Sequence, residues 1–367
     1  MILCIFAPQN SKMPLTTYTF DINRIQSSRI NNVDWDNLVF GKTFSDHMLI
    51  IDYKNGEWQQ GKIVPFDNIP MHPATSAIHY GQSVFEGMKA NKTINGDVHI
   101  FRPEMNAKRF SLSAQRMCMP SLPESLFVDS IRALLEIDRD WVPNNAVSSL
   151  YIRPFMFATD SHVGVRASHS YRFMIFTCPV GAYYSKPVRV KVETEYTRAA
   201  MGGTGAAKAA GNYAGSLYPT KKAGEEGYDQ LLWTDASTHS FIEECGTMNA
   251  AFVVDGKLLV PATSDTVLDG VTRKSVIQIA KDLGIEAEER PVSVEELENA
   301  AKAGTLHEAF GLGTAATVSI MSTIGFEGMD FDLPSTANWS VAPQLRRTLE
   351  NIRRGHSEDP YGWNIPV

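Results

Sequence analysis

One lysine in this chain stands in a setting unlike that of an ordinary surface lysine. Lys208 lies among Gly203, Gly205, Ala206, Ala207, Ala209, Ala210 and Gly211, so no nearby side chain in the sequence crowds it or pairs with it. Something large could approach such an amine closely. Held in a water-poor place, a lysine loses part of its ammonium character, because desolvation disfavours the charged form. Lys208 is therefore a candidate amine nucleophile toward a carbonyl group. The plainer alternative is a solvated lysine on a flexible loop, the common fate of Gly/Ala-rich runs. Two phosphate-loop patterns fail on spacing. A Walker loop needs glycine directly before the lysine and Ser or Thr directly after it, whereas Ala207 and Ala209 stand there. The dinucleotide fingerprint needs its third glycine where Lys208 stands.

The surroundings of Lys208 carry further motifs. Tyr213 follows in KAAGNY, and EECGTMN surrounds Glu244. GVTR occupies 270–273, GLGTA 311–315, HYGQSVFEGMKA 79–90 and YIRP 151–154. With these motifs in this order, the chain resembles the branched-chain amino acid aminotransferases, which are fold-type IV pyridoxal-phosphate enzymes. The resemblance runs from about Phe40 to the C-terminus, and several separate motifs in sequence are far more specific than any one.

The resemblance implies a transaminase that exchanges amino groups between leucine, isoleucine or valine and 2-oxoglutarate by a ping-pong mechanism. Pyridoxal phosphate needs from its protein an amine, an acid for the ring nitrogen, a donor to the ring oxygen and an anion site for the phosphate. The match assigns these to Lys208, Glu244, Tyr213 and Arg109, with Thr247, Val271, Thr272 and Thr314 also at the cofactor. Local chemistry does not choose between Glu243 and Glu244; the motif selects Glu244. Residues 269–272 lead into a helix, and helix N-termini bind anions, although Asp265 and Asp269 could equally be simple caps. The same pocket must accept an apolar side chain and the γ-carboxylate of glutamate. The match puts Phe44, Tyr80, Phe85, Tyr151 and Val165 in its wall, gives Arg153 the γ-carboxylate, and gives the Thr314-Ala315 turn the α-carboxylate. In the family Tyr80 and Val165 reach in from a partner subunit, which implies a homodimer. Some animal members carry a redox-active CxxC pair where Ala316 and Ser319 stand here. The rivals are another fold-type IV activity, such as a D-amino-acid aminotransferase or aminodeoxychorismate lyase, and a nucleotide-binding oxidoreductase using the glycines at 202–211.

These groups must be positioned by regular elements. Residues 48–53 and 98–102 read as strands, 104–117 and 125–141 as helices by their apolar spacing, and 149–158 and 171–177 as strong strands. Strands clustered around two helices make the first half α+β. Residues 179–187, with a proline at each end, read as a linker between a smaller domain at 1–178 and a larger one at 188–367. The second half predicts strands at 228–234, 308–311 and 317–321, and a hairpin at 250–260 around Asp255-Gly256. It also predicts a helix at 272–283 stopped by Gly284, a capping box at Ser293 and a last helix at 340–354. Residues 1–39 read as a loosely packed arm, with Met13 an alternative start to Met1.

The 367 residues carry a net charge of −7 without any basic block, which argues against nucleic acid. The start has a short apolar run but no basic region and no cleavage site, so neither a signal peptide nor a membrane span is expected. Cys4, Cys118, Cys178 and Cys245 lie far apart, with no zinc-like spacing. A reduced cytoplasm and no structural metal are the expectation.

Overall fold

The computed structural model describes residues 18–181 and 186–367. The choice between Met1 and Met13, and Cys4, lie outside the described residues, as do four residues of the expected linker.

The strands form two sheets. The ten-stranded first sheet contains every strand up to Tyr171–Val180, and Asn364–Pro366 joins its edge beside Val98–Phe101. Pro103–Arg116 and Glu124–Ile137 cover one of its faces, with Phe110, Phe127, Ile131 and Phe173 buried between the layers. Each such side chain contributes about 1.5–3 kcal/mol relative to leaving it exposed. The long pair Ser149–Ala158 and Tyr171–Val180 is the spine of this sheet. Pairing persists through Pro179 and Val180, so the strand runs two residues into the expected linker.

The nine-stranded second sheet curls. Ile242–Cys245, Gln230–Thr234, Val188–Val192, Thr317–Phe326, Leu306–Gly313 and Met248–Val254 follow one another, and the last pairs back with the first. The ring surrounds Val190, Leu232, Phe252, Met321 and Ile324. Val271–Asp282 and Val341–Arg354 pack against it through Val276, Leu345 and Leu349.

The punctuation read from sequence has clear structural causes. Gly284 takes φ +73° just past Val271–Asp282, a conformation that glycine adopts without steric cost. Ser293 Oγ accepts from the Glu296 amide at 3.0 Å. The reciprocal half of that box does not form, because the Glu296 carboxylate pairs with Arg290 instead. Two expectations are corrected. From Tyr18 onward the arm is tied down: Tyr18, Phe20, Ile30 and Val33 pack on the first core, and Ser28 and Arg29 bind Asp46. Two helices, Ala210–Gly215 and Leu217–Glu225, follow Lys208 where no helix is expected.

Candidate active site

The loop bearing Lys208 is fixed rather than flexible. The Asn212 side chain donates to the Thr204 and Ala207 carbonyls and accepts from Thr204 Oγ1. Gly205 lies against residues 265–266, where a Cβ would come within 2.8 Å of Thr266 Cα; only glycine permits that approach. The Lys208 amide donates to Ser113 Oγ at 2.9 Å, and its carbonyl accepts from the Phe85 amide at 3.0 Å. The lysine is thus pinned between Pro103–Arg116 and Ser83–Phe85. Its Nζ donates to the Tyr213 hydroxyl at 2.9 Å and lies over the Phe85 ring.

Two cavities meet at Lys208, Thr247 and Thr314. The smaller is lined also by Arg109, Glu244, Asn249, Gly270, Val271 and Thr272. Val271–Asp282 begins there without a side-chain cap, so its first amides remain available to an anion. Asp269 pairs with Lys274 and does not cap the helix. Gly270 is required because a Cβ would sit 2.0 Å from Asn249 Oδ1, and Asn249 holds the loop through the Leu268 carbonyl. Arg109, largely rather than fully buried, faces the same cavity and donates to the Asp269 carbonyl at 3.0 Å.

Adjacent strand residues point to opposite faces, and that separates the two glutamates. Glu244 lines the cavity with Lys208, accepts from the Leu268 amide at 2.7 Å and lies 3.3 Å from Arg198. Burial pushes its carboxyl up, with the charge of Arg198 opposing. Glu243 accepts from Thr266 Oγ1 on the other face.

The larger cavity, about 580 Å³, is lined by Phe85, Tyr151, Arg153, Tyr213 and Ala315, and by three aromatics not foreseen from sequence: Phe40, Phe155 and Phe176. Arg153 donates to the Tyr151 hydroxyl at 3.1 Å and stacks on Phe85; its buried Nε has no hydrogen-bond partner among the described residues. Three expected wall residues are elsewhere in this chain. Phe44 stacks on Phe66 and meets Phe176 edge-on, behind the wall rather than lining it. Tyr80 and Val165 are exposed, at 40% and 89%. Glu86, which grips Arg109, was also missed, because a buried ion pair between residues 23 apart leaves no local pattern.

Residues 83–322 match the family model of amino-transferase class IV. A probable branched-chain-amino-acid aminotransferase of Staphylococcus epidermidis is 45% identical over 339 residues, covering 91% of this chain and 94% of that one. The chain belongs to the branched-chain family of class IV aminotransferases. Branched-chain-amino-acid transaminase 1 of Bacillus subtilis is 43% identical, over 91% of this chain and 95% of that one. Among solved structures, the Escherichia coli branched-chain amino acid aminotransferase is 30% identical with a TM-score of 0.68, covering 86% of this chain and 98% of that chain. The T.th. branched-chain amino acid aminotransferase, in complex with N-(5'-phosphopyridoxyl)-L-glutamate, is 28% identical with a TM-score of 0.69, over 86% and 97%. The fold is that of fold-type IV, and the dinucleotide alternative is set aside. The cofactor of this family is pyridoxal phosphate, and the chemistry of the residues lining the smaller cavity suits it. An uncapped helix start and a largely buried guanidinium suit a phosphate, a buried carboxylate suits a protonated ring nitrogen, and a lysine amine lines the same cavity.

Proposed function

We propose that this aminotransferase moves amino groups between leucine, isoleucine or valine and 2-oxoglutarate, in ping-pong order. The observation that carries this reading is the larger cavity: an aromatic chamber with one under-bonded guanidinium, Arg153, opening onto Lys208. An aliphatic side chain suits such walls, and glutamate adds a second carboxylate that a planar guanidinium binds well.

Arg109 and the first-turn amides of Val271–Asp282 would hold the cofactor phosphate. Glu244 would serve the ring nitrogen, and the Tyr213 hydroxyl the phenolic oxygen. Thr247 and Thr314 border both cofactor and substrate. When bound, pyridoxal phosphate supplies an electron sink for the pair left behind as the substrate Cα loses its proton. Lys208 Nζ takes that proton and returns it, with Tyr213 holding the amine in place. The Thr314-Ala315 turn binds the α-carboxylate common to all substrates.

The exposed Tyr80 and Val165 suit delivery into a partner's site, so the working unit in this reading is a cytoplasmic homodimer. Among the described residues no helix is long and apolar enough to cross a membrane. Residues 1–178 and 188–367 would be its two domains, with Asn364–Pro366 reaching back to the first. Initial rates with leucine and 2-oxoglutarate test the activity. Parallel double-reciprocal lines support it; faster turnover of D-alanine or of aminodeoxychorismate would replace it with another fold-type IV reaction.

A further inference from the structure

Behind the Thr314-Ala315 turn lies a separate cavity of about 280 Å³, lined by Lys89, Ser319, Arg346, Glu350, Arg353 and Arg354 among others. Four of these side chains are cations and one is a carboxylate. Glu350 is shared, at 3.2 Å from Arg353 and 3.5 Å from Arg354. Arg353 also donates to Thr317 Oγ1, yet its buried Nε has no partner among the described residues. Arg354 is spent on the Asn145 and Ser148 carbonyls. Ser319 is 4% exposed, and its Oγ has no partner either.

Like charges gathered this close repel one another, and a buried hydroxyl left unpaired is costly. Both costs are removed by one ligand, a small anion with several acceptor oxygens. The strain is visible at Lys89, whose ammonium is pushed down to about 8 by burial and then by the like charges of Arg353, Arg354 and Arg346, with Glu350 opposing.

We propose that this cavity is a second anion site that takes a small oxyanion, phosphate or dicarboxylate, against Lys89, Ser319, Arg346 and Arg353. It is distinct from the cofactor's phosphate cup, which lies at Arg109 and Val271. The site touches the substrate chamber at one point. Lys89 Nζ donates to the Ala315 carbonyl at 2.8 Å, and Ala315 borders both cavities.

The test is calorimetric titration of the holoenzyme, with its own phosphate cup filled, at constant ionic strength in chloride. Inorganic phosphate and succinate serve as probes. Saturable binding of one ion per chain is expected, weakened at least tenfold by Arg346→Gln and severalfold by Ser319→Ala. Neither residue belongs to the cofactor or substrate machinery. The better-bound probe identifies the ligand's class. Arg153→Ala must leave the binding unchanged. Absence of binding to either probe overturns the proposal, as does binding that both cavity variants retain in full. Binding lost in Arg153→Ala places the ion in the substrate chamber and overturns it equally.

Discussion

Arg109 and Glu86 grip each other in a two-pronged ion pair. Nε donates to Oε1 at 2.7 Å and Nη2 to Oε2 at 2.8 Å. Glu86 is fully buried and also accepts from Asn106 and from the Gly87 amide. Burial acts to raise its carboxyl, but the charge and hydrogen bonds of Arg109, together with the charge of Lys208 and the Asn106 amide, hold the group below the usual range. Removing one partner of such a pair leaves an uncompensated charge. Glu86→Ala is expected to destabilise the protein by about 3–5 kcal/mol and to weaken cofactor retention. Urea unfolding and dialysis against free cofactor measure the two effects; a near-neutral result in both would mean Arg109 needs no orienting partner.

Lys208→Ala is expected to abolish turnover while retaining some cofactor, because the phosphate cup is intact. Borohydride reduction and mass spectrometry of the wild type should find the pyridoxyl group on Lys208. Finding it on Lys221 or Lys222 would sink the assignment.

Glu244→Gln should keep the cofactor but slow transamination strongly, since a neutral amide cannot favour a protonated ring nitrogen. Glu243→Gln, on the opposite strand face, should do much less. Swapped behaviour of the two variants would show that the wrong face has been chosen.

Arg153→Ala should cost the glutamate half-reaction about 2 kcal/mol, the worth of a hydrogen bond to a charged group. That is roughly thirtyfold in kcat/KM. Leucine should lose much less. Single-turnover rates with each amino acid decide the matter, and equal losses would move Arg153 from specificity to the α-carboxylate or the fold.

Lys89 gives a pH dependence of definite sign. Its ammonium is pushed down from 10.5 to about 8. Above that pH the amine is neutral and holds the Ala315 carbonyl less firmly, so KM should rise for leucine and 2-oxoglutarate alike. Lys89→Met should remove the step. Between about 8 and 10 the unfolded chain binds more protons at this lysine than the folded one, so its contribution to stability grows with pH.

Much of this was legible in the sequence because it is local. Caps and turns marked Val271–Asp282, Val294–Ala303 and the Asp255-Gly256 hairpin, and the motifs named most of the cavity lining. Leu217–Glu225 was not legible, since its Pro219 and Gly224 look like loop chemistry. Phe155 and Phe176 were missed because strand pairing across the first sheet sets which aromatics face the chamber, and Phe40 and Phe44 could not be placed because they lie on the irregular segment before His47–Lys54. The meeting of Lys89 with Arg353 depends on elements from opposite ends of the chain.

Burial protects Cys178 and Cys245 from oxidation. Ala316 and Ser319 cannot form a disulfide, and burial pushes the Cys245 thiol up to about 12 and Cys178 up to about 11. A thiol is attacked by peroxide mainly as thiolate. Among the described residues only Cys118 is exposed, away from both cavities. Mild peroxide should leave activity largely intact in the wild type and in Cys245→Ala. Thiol-reversible inactivation of both would reveal a sensitive cysteine elsewhere.

The pairing of Asn364–Pro366 with Val98–Phe101 has a consequence for the order of events during synthesis. Translation delivers residues 98–101 long before 364–366. Until the latter emerge, the nascent first sheet presents an open row of amides and carbonyls to any extended segment nearby. The half of the molecule made first is therefore the half finished last. A chain cut before residue 364 would keep every strand of the second sheet and leave the first sheet with an unpaired edge.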